Sequence, residues 1–522
     1  MSPNSRVFLS SAFGVLTALN AAAQNATIVG LDSLRLRIGA ANTPTGAPIV
    51  IGQVEAPIGT AYQPDPADAQ FVGKTFFAQS GSPGVFSSHA TPVAQNLCGV
   101  VSSVSPGVSQ IYNWEANNWV QSYIRVLQGA NFPPLTPPGG LKVFNHSWVG
   151  TFGSGSVDNE TLRRMDFAIS RDNVLVFAGM NNSGSTPALM ASGYGVISVG
   201  RRDGLASITD SASNVDVPGR MKPEMVGPGN LTSFTTPVAA ACGSLLVEIV
   251  RTTPALAANS NAEKADTLKA ILLAGCRHET GWTNNAPTSG PTRGVVARSL
   301  DDALGAGTVN IDNAHMIATA LEQNAATAPP TGANASSNGW DRVDVPLNTS
   351  AYWRFHVTST AAEVSIAATW QRFITITFGG PSIANFDLTL WRVDATGALV
   401  SLAGDAGAAF FSGGNVVSQS TIDNVEHLYI TGLGPGDYVL ELQRLDSLTN
   451  FPNWTAAVAW IFSNCSGGLV GDLNADHVVD ESDLGQLLAA WQAGPSGDLD
   501  GDGDTDESDL GILLGSWGRH CP

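Results

Sequence analysis

Basic residues are scarce in this 522-residue chain, with 25 Lys and Arg against 44 Asp and Glu and a net charge of −19. Neither that balance nor any basic stretch offers the cationic surface that phosphate backbones need, so no nucleic-acid partner is expected. Apolar runs of about 20 residues are missing too, which leaves no transmembrane segment. Cysteines number five, enough for disulfides with one thiol left over. Cys465 and Cys521 bracket an acidic segment and form the best-motivated pair, worth about 4 kcal/mol in the chain-entropy account. Cys98, Cys242 and Cys276 read as buried free thiols.

What is present is a 43% hydrophobic composition, which can bury a large core and divides into more than one domain. The acidity is local. Residues 465–522 hold twelve Asp and Glu against one Arg, so −11 of the total charge sits in that short stretch. At the other end, Arg6, an apolar run over residues 7–19 and Ala21-Ala22-Ala23 before Gln24 have the layout of a secretory signal over residues 1–23. The mature protein is expected to begin near Gln24 and to be secreted or held at the cell surface.

Between these ends the pattern alternates strand and helix. Residues 47–54 read as a buried parallel strand ending at Glu55, where a carboxylate sits on the functional edge of an open α/β sheet. Ser88-His-Ala-Thr-Pro-Val-Ala-Gln-Asn96 reads as a helix that begins at a histidine. Strands over 108–112, 141–147, 174–178 and 195–199 and helices over 117–127, 159–170 and 262–275 continue a βαβ rhythm. Gly179-Met-Asn-Asn-Ser-Gly184 puts polar donors on the same sheet edge. Finally, Asn230-Leu-Thr-Ser-Phe-Thr-Thr-Pro places Ser233 between a Gly/Pro-rich turn and a long helix of small residues. The unpaired N–H groups of that helix point at whatever the hydroxyl attacks.

In this order the motifs resemble a subtilisin-like serine protease from about Ala47 to Ala320. His89-Ala-Thr-Pro-Val-Ala resembles the family's His-Gly-Thr-x-Val-Ala helix, and Phe144-Asn-His-Ser-Trp-Val-Gly150 its substrate-binding strand. Phe177-Ala-Gly-Met-Asn-Asn-Ser-Gly184 resembles the segment that supplies the oxyanion-hole asparagine. Leu231-Thr-Ser-Phe-Thr-Thr-Pro-Val-Ala-Ala240 resembles the Gly-Thr-Ser-x-Ala-x-Pro-x-Val-Ala signature. The resemblance implies a parallel sheet with helices on both faces, a polypeptide substrate, and a serine endopeptidase. Its catalytic residues would be Ser233, His89, Glu55 and the oxyanion donor Asn182. Three positions depart from the family: Glu55 where it has Asp, Ala90 where it has Gly, and Leu231 where it has Gly. Asp65 and Asp68 are rivals to Glu55 if the strand register is misread. The alternative function is a catalytically impaired scaffold serving extracellular binding or attachment.

Downstream, residues 322–339 are rich in chain breakers and read as a linker between a peptidase-like unit (24–321) and a β-sandwich (340–463). Strands are expected over 352–357, 363–369, 373–378, 386–393, 427–430 and 437–442. Asn385-Phe-Asp-Leu-Thr-Leu and Leu433-Gly-Pro-Gly-Asp-Tyr resemble the jelly-roll domains that follow secreted peptidases. Residues 464–522 contain a repeat, Gly471-Asp-Leu-Asn-Ala-Asp recurring at Gly497-Asp-Leu-Asp-Gly-Asp, which resembles the paired helical calcium-binding repeats of type I dockerins. Oxygen ligands would come from Asp472, Asn474, Asp476, Asp480 and Asp483, with Val478 through its carbonyl. The second loop would use Asp498, Asp500, Asp502, Asp506 and Asp509, with Asp504 through its carbonyl. Gly503 stands at the sharp-turn position where the first loop has His477. Such a module implies two calcium ions and a cohesin-like or cell-surface attachment partner.

Overall fold

The computed structural model describes residues 24–522 apart from 83, 208–209, 280, 464–469, 475–478, 493, 501–502 and 518–522. The expected signal segment, the Cys465–Cys521 pair and loop residues Asp476, His477, Val478 and Asp502 lie outside the described residues.

Seven parallel strands form the first sheet: β1 (Val50–Glu55), β2 (Thr75–Ala78), β3 (Gln110–Glu115), β4 (Val143–His146), β5 (Leu175–Gly179), β6 (Ile197–Arg201) and β7 (Met225–Gly227). Their spatial order is β2-β3-β1-β4-β5-β6-β7. β1, β4 and β5 are almost wholly buried, as expected for parallel strands covered on both faces. The order reverses around β1, because β3 lies on one side of it and β4 on the other. Crevices open at such reversals, beyond the carboxyl ends of the strands. Glu55 ends β1.

One face of the sheet is covered by helices Ala90–Cys98, Thr232–Thr252, Ala265–Ala274 and Ile311–Thr319, and the other by helix Gly155–Asp172. Thr232–Thr252 is apolar and long enough to cross a membrane, yet it is buried in this core. Its close seat on β5 depends on Gly243, where a Cβ would come within 2.7 Å of the Phe177 ring.

The remaining strands are β8 (Val295–Val296), β9 (Asn338–Pro346), β10 (Ser350–Val357), β11 (Ala361–Trp370), β12 (Phe386–Val393), β13 (Leu399–Ser401), β14 (Gly413–Gly414), β15 (Val417–Ser418), β16 (Val425–Leu433), β17 (Gly436–Arg444) and β18 (Asn453–Ser463). They build two sheets, β10-β17-β12-β15-β8 with β13 on β12, and β14-β16-β11-β18-β9. Trp353, Phe355, Trp370, Phe386 and Trp460 fill the space between them. β8 reaches this sandwich from the earlier part of the chain and pairs in parallel with β15.

Two expected elements are absent from these positions. Residues 117–127 form no continuous helix: a π turn, Trp119–Tyr123, swings Trp119, Val120 and Tyr123 into the core, and Arg125 and Leu127 then take positive φ. Residues 373–378 pair with no strand. Phe378 instead buries its ring against Phe167 and under the Arg164 guanidinium, which draws the segment onto helix Gly155–Asp172. The short strands β2, β7, β8 and β13–β15 and the long strands β9 and β18 were not among the expected elements.

Helix Ala265–Ala274 is buried along its whole length because the sandwich strands β11 and β18 cover the side that the parallel sheet leaves open. Its charged residues are paired: Asp266 with Arg342 at 3.0 Å, and Lys269 with Glu224 at 2.9 Å. Nearby, buried Arg372 of the sandwich donates to Asp166 at 2.6 Å and to Asp216 at 3.1 Å and lies 4.7 Å from the Tyr194 ring. Removing one partner of a buried pair strands the other charge, so Arg372→Ala is expected to lower stability by about 3–5 kcal/mol. Combining it with Asp166→Asn should recover part of that loss in chemical denaturation.

Candidate active site

The site lies along the carboxyl edge of the parallel sheet. Glu55 has no solvent exposure, and its Oε2 sits 2.8 Å from His89 Nδ1. The histidine is placed by the start of helix Ala90–Cys98, and Ser87 fixes that start: its Oγ accepts from His89 N at 3.2 Å and Ala90 N at 3.1 Å. Ser87 thereby satisfies two of the donors that open a helix. Burial pushes the Glu55 carboxyl above its ordinary range against the pull of His89, and the hydrogen bond that His89 donates to Glu55 raises the imidazole. Since the His89 side chain is one-third exposed, the ring edge away from Glu55 stays reachable.

Ser233 sits in the first turn of helix Thr232–Thr252, half-buried. Pro237, four residues on, has no N–H to give to the Ser233 carbonyl. Ser147, just past β4, fills that gap with its Oγ at 3.0 Å, and Asn145 Nδ2 donates to the same hydroxyl at 3.0 Å. Phe234 brings its ring 6.3 Å from the His89 ring. Among the described residues, no hydrogen bond joins Ser233 Oγ to His89.

Asn182 follows β5. Its Oδ1 accepts from Thr232 N at 2.8 Å and Thr232 Oγ1 at 3.2 Å. With the carbonyl end committed to Thr232, the amide's Nδ2 donors face away from that contact. The neighbouring Asn181 spends its own Nδ2 on Ser183 O and Ser185 O within the loop.

The rivals to Glu55 are engaged elsewhere. Asp65 closes a turn onto Ala67 N at 2.9 Å, while Asp68 caps a short turn through Gln70 N and accepts from Gln95 Nε2, both at 2.9 Å. Leu231 and Ala90, two of the positions that depart from the resembled pattern, fit their local backbone. Leu231 has extended backbone (φ −142, ψ 146) that any residue adopts, and its side chain is exposed. Ala90 is fully buried within its helix turn. Clefts flank the edge: one of about 900 Å³ includes Arg202, Gly229, Asn230, Phe234 and Glu279, beyond β6 and β7. A smaller one of about 160 Å³ lies beyond β1, β3 and β4, at Pro57, Val120, Trp148 and Phe152.

Ser87, Ser147 and Thr232 were missed by the sequence reading. Only Ser147 left a signal, since Pro237 announces an orphaned carbonyl at Ser233.

No family model matches the sequence, and no curated protein matches it. Among solved structures, the chain is similar to a protease of Pseudoalteromonas arctica PAMC 21717 at 14% identity, across 53% of this chain and 92% of that one, with a TM-score of 0.36. It is also similar to a cold-adapted subtilisin-like serine proteinase at 16% identity, across 51% and 88%, with a TM-score of 0.31.

In the acidic tail, helices Glu481–Ala490 and Glu507–Gly515 pack around Val479, Leu487 and Leu513. Each begins with a reciprocal cap, Asp480 with Asp483 and Asp506 with Asp509. The two loops repeat one geometry: Asp483 Oδ1 accepts from Leu473 N at 2.7 Å, and Asp509 Oδ1 from Leu499 N at 2.5 Å. Carboxylate oxygens of Asp498, Asp500 and Asp509 lie within 4.8 Å of one another, as do those of Asp504, Asp506 and Asp509. Asp504 thus presents a carboxylate as well as the carbonyl expected of it. Gly503 has φ 105, the turn its position requires, and its N–H reaches Asp498 Oδ2 at 3.0 Å. An all-oxygen set of this kind fits a hard divalent cation.

Removing the Ser147 hydroxyl orphans a part-buried carbonyl, so Ser147→Ala is expected to lower stability by about 1 kcal/mol. Pro237→Ala restores the helical N–H. A double-mutant cycle by urea denaturation should therefore show Ser147→Ala losing most of its effect in that background.

Proposed function

We propose that this chain is a secreted serine endopeptidase of the subtilisin-like class. The observation that carries the reading is the buried Glu55 carboxylate held 2.8 Å from His89, on the sheet edge where Asn182 is oriented by Thr232 beside Ser233. Ser233 Oγ attacks the peptide carbonyl while His89 Nε2 takes its proton. Glu55 holds the Nδ1–H tautomer and stabilises the imidazolium that forms. The tetrahedral oxyanion accepts from Asn182 Nδ2 and from the Ser233 backbone N–H. Collapse breaks the C–N bond as His89 returns the proton to the leaving amine, and water repeats the sequence on the acyl-enzyme. Hydrogen bonds of this kind are often long in unliganded sites and tighten with substrate.

The competing reading, an impaired scaffold used for extracellular attachment, is favoured by the missing Ser233–His89 hydrogen bond. A fluorophosphonate probe separates the two: Ser233 of the folded full-length protein should be labelled, and His89→Ala should abolish labelling. An unlabelled wild-type protein would leave the scaffold reading standing. Asn182→Ala is expected to lower peptide turnover by about 10²–10³-fold while leaving the denaturation midpoint in place.

In the tail we propose two calcium sites, with Asp472, Asn474, Asp476, Val478, Asp480 and Asp483 in one loop and Asp498, Asp500, Asp502, Asp504, Asp506 and Asp509 in the other. Calcium there would neutralise the carboxylates and brace the helix pair, and a cohesin-like or cell-surface partner would dock on the braced module. Calorimetry should register calcium binding that Asp498→Ala with Asp500→Ala halves in stoichiometry. A titration without heat in the wild-type chain would overturn the assignment.

A further inference from the structure

Three buried amides lie side by side beneath the site, Asn113 on β3, Gln53 on β1 and Asn145 on β4, in register across the sheet. Gln53 is the central one and uses its whole amide. One Nε2–H goes to Glu55 Oε1 at 2.9 Å and the other to Ala90 O at 3.0 Å, while its Oε1 accepts from Asn113 Nδ2 at 3.3 Å. Two acceptors face the nitrogen and a donor faces the oxygen, so chemistry permits one orientation. A flipped amide would set its carbonyl against a carboxylate and a second carbonyl.

We infer that Gln53 is a positioning residue: it clamps the second oxygen of the Glu55 carboxylate and ties that carboxylate to the helix that carries His89. A buried carboxylate needs donors on both oxygens, and a glutamate has one more rotatable bond than an aspartate through which to lose its aim. His89 anchors Oε2 and Gln53 anchors Oε1. The other ionisable neighbours in register are turned away. Glu115 on β3 caps Asn117 and Asn118, and His146 on β4 accepts from Trp148 Nε1. Among the described contacts, Gln53 is thus the one uncharged side chain that donates to the Glu55 carboxylate.

This inference builds on the proposed function, but its first readout does not need catalysis. Gln53→Met keeps the length and removes the donors, and Asn113→Leu removes the donor to the amide's oxygen. A carboxylate that loses a donor grows more basic, so the Glu55–His89 pair takes up its first proton at higher pH. In Gln53→Met the His89 titration followed by NMR is expected to move up by about one pH unit. Asn113→Leu should give a smaller shift in the same direction. The acidic limb of fluorophosphonate labelling at Ser233 should move with it. If folded Gln53→Met titrates as the wild type does, the inference fails. Should that variant not fold, an unshifted Asn113→Leu overturns it. A protein whose His89 titration shifts but whose Ser233 never labels refutes the endopeptidase reading and leaves the role of Gln53 intact.

Discussion

A carboxylate with no exposure to water must find all its donors within the protein. Glu55 meets that demand with one imidazole and one amide, and much of the sheet edge follows from it. β1 must end at Glu55, the helix of His89 must begin where Ser87 caps it, and Gln53 must lie two residues back on the same face of the strand. Asn113, on the neighbouring strand, then donates to the oxygen of Gln53. The reversal of strand order around β1 supplies the crevice beside that carboxylate.

A second demand of the same kind shapes the serine side. Pro237 removes one helical hydrogen bond, and Ser147 replaces it from β4. Thr232 spends its N–H on Asn182. Each segment of the edge is thus tied to its neighbour through a backbone group that the helix geometry leaves unpaired.

Away from the edge, the sandwich completes the core of the first sheet. Helix Ala265–Ala274 would expose an apolar flank without β11 and β18, and Arg372 and Arg342 reach back to neutralise Asp166 and Asp266. This explains why helix 262–275 was recognisable from its periodicity while its burial on all sides was not. It also explains the failed strand at 373–378, whose alternation serves Phe378 as an anchor on Phe167 and Arg164.

The sequence by itself determined the parallel sheet, the strand that ends in Glu55, the helix that starts at His89 and the repeated acidic loops, because apolar runs, caps and spacings are local signals. The resemblance put forward Asn182 as an expectation, and the residues left Asp65 and Asp68 open beside Glu55. The tertiary structure decided which acid meets the histidine, since Asp65 and Asp68 spend their oxygens on nearby turns. It alone revealed the roles of Gln53 and Thr232, which reach Ala90, Asn113 and Asn182 in other segments of the chain, and of Ser87, whose contacts are local to the start of the His89 helix. Buried polar groups are chosen by what they face across the fold, and no periodicity in one dimension records that.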